Sequence, residues 1–325
     1  MTWRRWDVAW QEALYGPSGF YRRAAPADHF ATSAQGLGRA GQLLAEALLT
    51  LAARHGLTRI VEVAAGRGEL LTDLARARDR APLPDADGVH LTGTDIVDRP
   101  PDLPPDVHWI IAPGGAALPE ELTGLTDTLL LAHEWLDVVP CPVVERGEDG
   151  TWRHLEVDPE GIERVGAPVG DPELSWLATH LPDSVHRAEV GRERDLAYQD
   201  LVSRVGHGLV VAIDYGHTYP ARPRTGTLTG YRGGVQVPPR PDGTCDLTAH
   251  VAVDTLGADQ LHTQREALLD LLGPAPLPPH GLSRTDPTAY LGHLTRANTQ
   301  ATLTRTGGLG DFFWAVALRD GAHLG

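Results

Sequence analysis

Ile60-Val61-Glu62-Val63-Ala64-Ala65-Gly66-Arg67-Gly68-Glu69-Leu70-Leu71 reads as a buried strand, a glycine turn and the start of a helix. Glu62 stands inside an otherwise apolar strand, where a carboxylate is costly unless it gains hydrogen bonds. Gly66 and Gly68 remove Cβ where the body of a ligand would approach the backbone. The spacing Ala64-x-Gly66-x-Gly68 does not complete the dinucleotide fingerprint G-x-G-x-x-G. By itself the window is also compatible with an ordinary β-turn-α corner.

Working outward, strands and helices alternate. Strand 60–64 is followed by helix 68–78, and the Pro-rich stretch 82–87 leads to strand 89–95. Strands at 107–111, 128–132 and 209–213 follow, and a last one at 312–318. This alternation predicts an α/β fold with a mostly parallel sheet and helices on both faces. Upstream, Trp6, Ala9, Trp10, Ala13 and Leu14 fall at helical spacing, and a second helix is expected over 37–55. The gap from 134 to 209 exceeds one crossover. It predicts a hairpin at 143–165, turning at Gly147–Gly150, and a returning helix at 192–205. Residues 218–246, rich in Gly, Pro and Arg, read as a lid-like loop, and 265–273 and 286–305 as helices. The expected organisation is a cap at 1–40, a core at 41–142 resumed at 201–217, and an insertion at 143–200. A lid and helical region at 218–310 and a last core strand at 311–325 complete it.

The 325 residues can bury a large core. A net charge of −15 disfavours nonspecific binding to nucleic acid, which needs Lys and Arg at phosphates. It mildly favours a cationic substrate by steering, or simply keeps the protein soluble. Neither a secretory h-region nor an apolar run long enough for a membrane span is visible, so a cytoplasmic protein is expected. Cys141 and Cys245 are too few for a disulfide framework, and no Cys/His cluster stands at ligand spacing, so no metal is expected.

Ligands of open α/β sheets bind beyond the carboxyl ends of the strands. Asp95 ends the second strand, where an acid can accept hydrogen bonds from ribose hydroxyls; as a turn former it would do less. After the fourth strand comes His133-Glu134-Trp135-Leu136-Asp137-Val138-Val139-Pro140. Glu134 and Asp137 share a face if that turn is helical, and a carboxylate can grip a guanidinium through paired charge-assisted bonds. Asp214-Tyr215-Gly216 ends the fifth strand and can border a substrate channel. In Asp246-Leu247-Thr248-Ala249-His250-Val251, Asp246 reads as a helix N-cap with Thr248 in the first turn, and His250 can face the cleft.

The Glu62-to-Gly68 window resembles motif I of class I S-adenosylmethionine (SAM) methyltransferases. The larger set resembles the MidA family, which includes the mitochondrial complex I assembly factor, a protein arginine methyltransferase. The matching segments are Leu14-Tyr15-Gly16-Pro17-Ser18-Gly19-Phe20-Tyr21, His29-Phe30-Ala31-Thr32-Ser33, Val61 to Gly68, Ala132 to Pro140, Ile213 to Gly216 and Asp246 to Val251. The resemblance implies a class I, Rossmann-like methyltransferase fold: a mostly parallel seven-stranded sheet, an N-terminal cap and an inserted substrate-side subdomain. It implies SAM held near Glu62, Ala64, Gly66, Gly68, Asp95 and His133, with Glu62 on the methionine amino end. Glu134, Asp137 and His250 are then the candidate catalytic groups, and Asp214, Tyr215 and Tyr21 the acceptor side. The family usually has Gly at the place of Ala64. The lid segment Thr227-Leu228-Thr229-Gly230-Tyr231 lacks the family's Arg and following His.

The leading expectation is a methyltransferase acting on a protein or peptide side chain, arginine first. The alternatives are a small-molecule or carboxyl/hydroxyl O-methyltransferase, and a non-catalytic methyltransferase-like assembly factor. The N-terminal aromatics could serve a homodimer interface or pack over the cofactor.

Overall fold

The computed structural model describes residues 2–23, 39–80 and 88–319. The His29–Ser33 motif, the Pro-rich stretch 82–87 and the expected helix start at 37 lie outside the described residues.

A seven-stranded sheet forms the centre. In chain order its strands are β1 (Arg59–Val63), β2 (His90–Asp95), β3 (His108–Ile111), β4 (Thr128–His133), β5 (Gly208–Asp214), β6 (Gln260–Thr263) and β7 (Phe313–Arg319). Their spatial order is β6-β7-β5-β4-β1-β2-β3. The five strands from β3 to β5 are parallel, and β7 and β6 close the far side in antiparallel pairing. The edge strand β6 escapes a sequence reading, because Gln260-Leu261-His262-Thr263 is polar and half exposed and carries no apolar signal.

Strand β4 is buried along its whole length because helices cover both faces. Leu129 and Leu131 join Ile60, Val211 and Trp314 beneath two flanking helices, α2 (Ala40–Arg54) and α3 (Glu69–Arg80). Leu130 and Ala132 face the other way, onto Leu118 and the helix α4 (Arg192–Ser203) through Ala197, Tyr198 and Leu201. Among the described helices none is long and apolar enough to cross a membrane.

The N-terminal segment and the insertion, expected as separate units, share one smaller sheet. Arg4–Arg5 pairs with Trp152–Val157, which is flanked in turn by Val143–Arg146 and Glu163–Pro168. The first helix, α1 (Trp6–Tyr15), lies on that sheet. It buries Trp6, Trp10 and Leu14 against Val143, Leu155, Val157 and Leu247, and the Trp10 indole donates to the Leu247 carbonyl at 3.1 Å.

Two expectations are corrected. Residues 218–246 are not a loose lid. Thr229–Arg232 and Val235–Val237 form a small antiparallel sheet with Asp246–Thr248. The Glu189 carboxylate fastens it, accepting from the Thr227 and Leu228 backbone N–H groups. Asp246 is therefore in a strand, not at a helix N-cap. Cys141 and Cys245 are buried free thiols, and burial pushes Cys141 up to about 12.

Candidate active site

The carboxyl ends of β1, β2 and β4 open into a cleft of about 980 Å³. Its floor is the turn after β1. Ala64, Gly66 and Gly68 all have positive φ, at 52°, 59° and 74°. The turn is fixed from below: the Gly66 N–H donates to Asp95 Oδ2 at 2.8 Å, and the Ala65 N–H to the Thr94 carbonyl at 2.9 Å. A Cβ on Gly68 would meet the Leu103 side-chain end at 2.4 Å, and the positive φ is what calls for glycine there. Ala64 lacks that freedom. An L-residue held in the left-handed region costs roughly 1–2 kcal/mol. Ala64→Gly is therefore expected to stabilise the protein by about 1 kcal/mol, read as a higher urea midpoint at unchanged slope.

Glu62 is 3% exposed, and its Oε2 is buried without a hydrogen-bond partner. It does not line the cleft itself. Burial first, then the nearby Glu69 and Asp95 carboxylates, push its pKa well above the usual range. A buried acceptor with an unfilled lone pair, under a glycine turn and with no cation near enough to lower its pKa, is suited to an ammonium group brought by a ligand. Asp95 also lines the cleft. Burial pushes it up to about 6, against the backbone N–H groups of Gly66, Val97 and Ile96, which favour its ionised form. One of its oxygens thus holds the turn, a duty that leaves lone pairs for ribose hydroxyls.

The opposite wall comes from elements the sequence did not single out. Ile96, Val97, Gly114, Gly115, Ala117 and Leu118 line it. The adjacent glycines follow β3 because α1 sits on them: a Cβ on Gly114 would meet the Tyr15 ring at 2.8 Å, and one on Gly115 the Gln11 amide at 2.6 Å. A Gly-Gly pair after the third strand was the available signal.

At the inner end stand Glu134, Trp135, Val138, Tyr15 and Tyr21. Glu134 has φ 51°, a second strained non-glycine residue, and its N–H is held by the Ile213 carbonyl at 2.8 Å. The strain turns its carboxylate toward the cleft, with Oε1 3.4 Å from His133 Nε2. Burial lowers His133 to about 4, so the imidazole is neutral at physiological pH and this contact is polar, not ionic. His133 does not line the cleft.

Other expected site residues lie one layer back. Asp137 is buried, and its Oδ2 accepts from the Tyr215 hydroxyl and Thr248 Oγ1, both at 2.5 Å. Asp214 accepts from the Leu136 and Asp137 N–H groups at 2.9 and 3.1 Å, so it builds the 3-10 turn Leu136–Val138 beneath the site. His250 does not face the cleft; its ring packs edge-on against Tyr215 at 5.2 Å. Among the described residues no His/Cys/Asp/Glu group could hold a metal ion.

Residues 41–274, well over half the chain, match the sequence profile of a family described as "Putative S-adenosyl-L-methionine-dependent methyltransferase". The chain belongs to this family. Its fold is similar to that of a COG1565 superfamily member from Burkholderia thailandensis solved with S-adenosyl-homocysteine bound. The TM-score is 0.75 and identity 23%, over 98% of this chain and 88% of that one. An uncharacterized COG1565 superfamily protein of the same organism matches with a TM-score of 0.74 and 22% identity, over 98% and 87%. No curated protein matches the sequence. The enzyme is a SAM-dependent methyltransferase.

Glu62 provides a direct check on cofactor binding. Glu62→Gln is expected to weaken S-adenosylhomocysteine binding by roughly ten- to a hundredfold, the worth of one hydrogen bond to a charged group. The same change removes a pH liability. The ligand-free folded protein keeps a proton on Glu62 that the unfolded chain releases, so its stability falls as pH rises through and above the ordinary carboxylate range. Urea unfolding at about pH 5 and about pH 8 should show this slope in the wild type and less of it in the variant, with calorimetry reading the affinity.

Proposed function

We propose that the enzyme is a MidA-type methyltransferase acting on a cationic nitrogen of a protein or peptide side chain, with the arginine guanidinium as first candidate. The observation that carries this reading is Glu134. It is a carboxylate held in a strained backbone conformation at the inner end of the cleft, beside a neutral imidazole. Strained backbone positions cluster at functional sites, and Ala64 across the same cleft is another. The MidA-like motif set, His133-Glu134-x-x-Asp137-x-x-Pro140 above all, supports the same reading.

When bound, the cofactor supplies an electrophilic methyl group on its sulfonium. Glu62, the Ala64–Gly68 turn and Asp95 would hold it. Glu134 would then grip the guanidinium and orient one nitrogen lone pair for in-line attack, so most of the rate gain comes from positioning. The new N–C bond forms as the S–C bond breaks, and the attacking nitrogen releases a proton. Glu134 is the expected proton acceptor, since Asp137 and His250 stand behind the cleft wall.

The test is methyl transfer from radiolabelled SAM to arginine-containing peptides and to the same peptides with citrulline in place of arginine. Label on the arginine peptides alone supports the reading. Label on carboxylate or hydroxyl side chains would replace it with an O-methyltransferase.

A further inference from the structure

The inner end of the cleft has an unusual polarity: every side-chain donor among its wall residues is already turned into the protein. The Tyr21 hydroxyl donates to Asp246 Oδ1 at 2.7 Å, and the Tyr15 hydroxyl to the Val138 carbonyl at 3.2 Å. The Trp135 indole donates to the Gly115 carbonyl at 3.1 Å. All three residues line the cleft together with Glu134.

The direction of the Tyr15 and Trp135 bonds is chemically forced, since a backbone carbonyl only accepts, and the Tyr21 bond runs from its hydroxyl to Asp246 Oδ1. Burial, then the Asp246 carboxylate, pushes both phenols well above their usual pKa, so each keeps its proton and must aim it at an acceptor. Once a phenol has given its proton to Asp246 or Val138, its oxygen has only lone pairs left to offer. Asp246 is itself fully buried, with Oδ2 unpartnered, beside Asp137, whose Oδ1 is also unpartnered. A carboxyl group buried at this cost is poorly explained by stability, since an apolar residue of the same volume would cost less.

We propose that the acceptor end of the cleft is an acceptor-only cage, selective for a donor-rich cation such as a guanidinium or ammonium and closed to carboxylates and carbonyls. Tyr21 and Tyr15 are its specificity residues, and Asp246 is the positioning residue that keeps the Tyr21 proton turned away. This rests on the methyltransferase reading of the site and adds the reason why one acceptor class is chosen. Of the arginines that line the cleft, Arg23 donates to the Gly243 carbonyl at 2.9 Å and Arg22 to the Tyr15 carbonyl at 3.4 Å, both turned toward the backbone.

The probes are Nα-acetyl-arginine amide and Nα-acetyl-citrulline amide, near-isosteres that differ by a charged N–H donor against a carbonyl oxygen. Each is titrated calorimetrically into the protein saturated with S-adenosylhomocysteine. The wild type should bind the arginine amide at least about tenfold more tightly, the scale of one hydrogen bond to a charged group. In Asp246→Leu the Tyr21 proton loses its partner and turns to the cleft. The preference should fall below about threefold while S-adenosylhomocysteine affinity is unchanged. Tyr21→Phe, which removes the acceptor oxygen together with the hydrogen bond to Asp246, should weaken the arginine amide by about tenfold and the citrulline amide by less than about twofold. It decides the matter if Asp246→Leu does not fold.

A wild-type preference that both variants leave intact would overturn the cage and leave the arginine reading standing. Equal affinity for the two amides in the wild type, or none for either, would overturn the cage. If the arginine peptides then also stay unlabelled by radioactive SAM, the functional reading falls with it.

Discussion

Glu134→Gln is expected to lower kcat by about 10²- to 10⁴-fold while changing S-adenosylhomocysteine affinity by less than about threefold. The neutral amide keeps the size of the side chain and removes the charge that grips a cationic acceptor and accepts its proton. Cofactor affinity should survive because the groups proposed to hold the cofactor, Glu62, the Ala64–Gly68 turn and Asp95, lie on or directly after β1 and β2, whereas Glu134 follows β4. Single-turnover methyl transfer together with calorimetry separates the two quantities. Parallel loss of binding and turnover would make Glu134 a structural residue, and the acceptor site would have to be sought elsewhere.

Arg194→Met is expected to destabilise the protein by about 3–5 kcal/mol. Arg194 is 1% exposed. Its guanidinium donates to four backbone carbonyls, those of Val139 at 3.1 Å, Ala249 at 3.0 Å, His250 at 2.9 Å and Asp137 at 2.7 Å. It also lies 5.6 Å over the Trp10 ring. These carbonyls come from the turn after β4 and from the segment after Asp246–Thr248, so one residue of α4 ties these two segments together. Methionine fills the volume and leaves the carbonyls unpaired in a dry interior, the expensive way to break a network. Urea unfolding gives the stability change. Arg194→Lys should recover part of it, because an ammonium has three donors and lacks the planar fork that reaches all four carbonyls.

Both residues show what a single sequence can and cannot reveal. Glu134 was legible because chemistry and position coincide: an acid directly after an apolar strand, at the end of a sheet where ligands bind. Arg194 was not. In sequence it is one charge among several in Arg192-Glu193-Arg194-Asp195, indistinguishable from a solvated helix face. Its partners are 55 to 57 residues away, and nothing local announces that this arginine is the buried one.

The sequence by itself determined the strand-turn-helix alternation of the core, the glycine turn after β1 and the acids at the strand ends. These are local patterns: short continuous apolar runs, a backbone that needs positive φ, a carboxylate among apolar neighbours. Only the tertiary structure decided which acids face the cleft. Asp137 and Asp214 also end up as candidate site acids in sequence, and Asp246 reads as a cap, yet all three lie behind the wall. There Asp214 accepts from backbone N–H groups, Asp246 from Tyr21, and Asp137 from Tyr215 and Thr248. The tertiary structure likewise turned the supposed lid into a small sheet fastened by Glu189, and set Tyr15 and Tyr21 in the wall of the cleft. The physical reason is that burial and hydrogen-bond direction depend on what packs against a residue from elsewhere in the chain, and local sequence does not encode those distant partners.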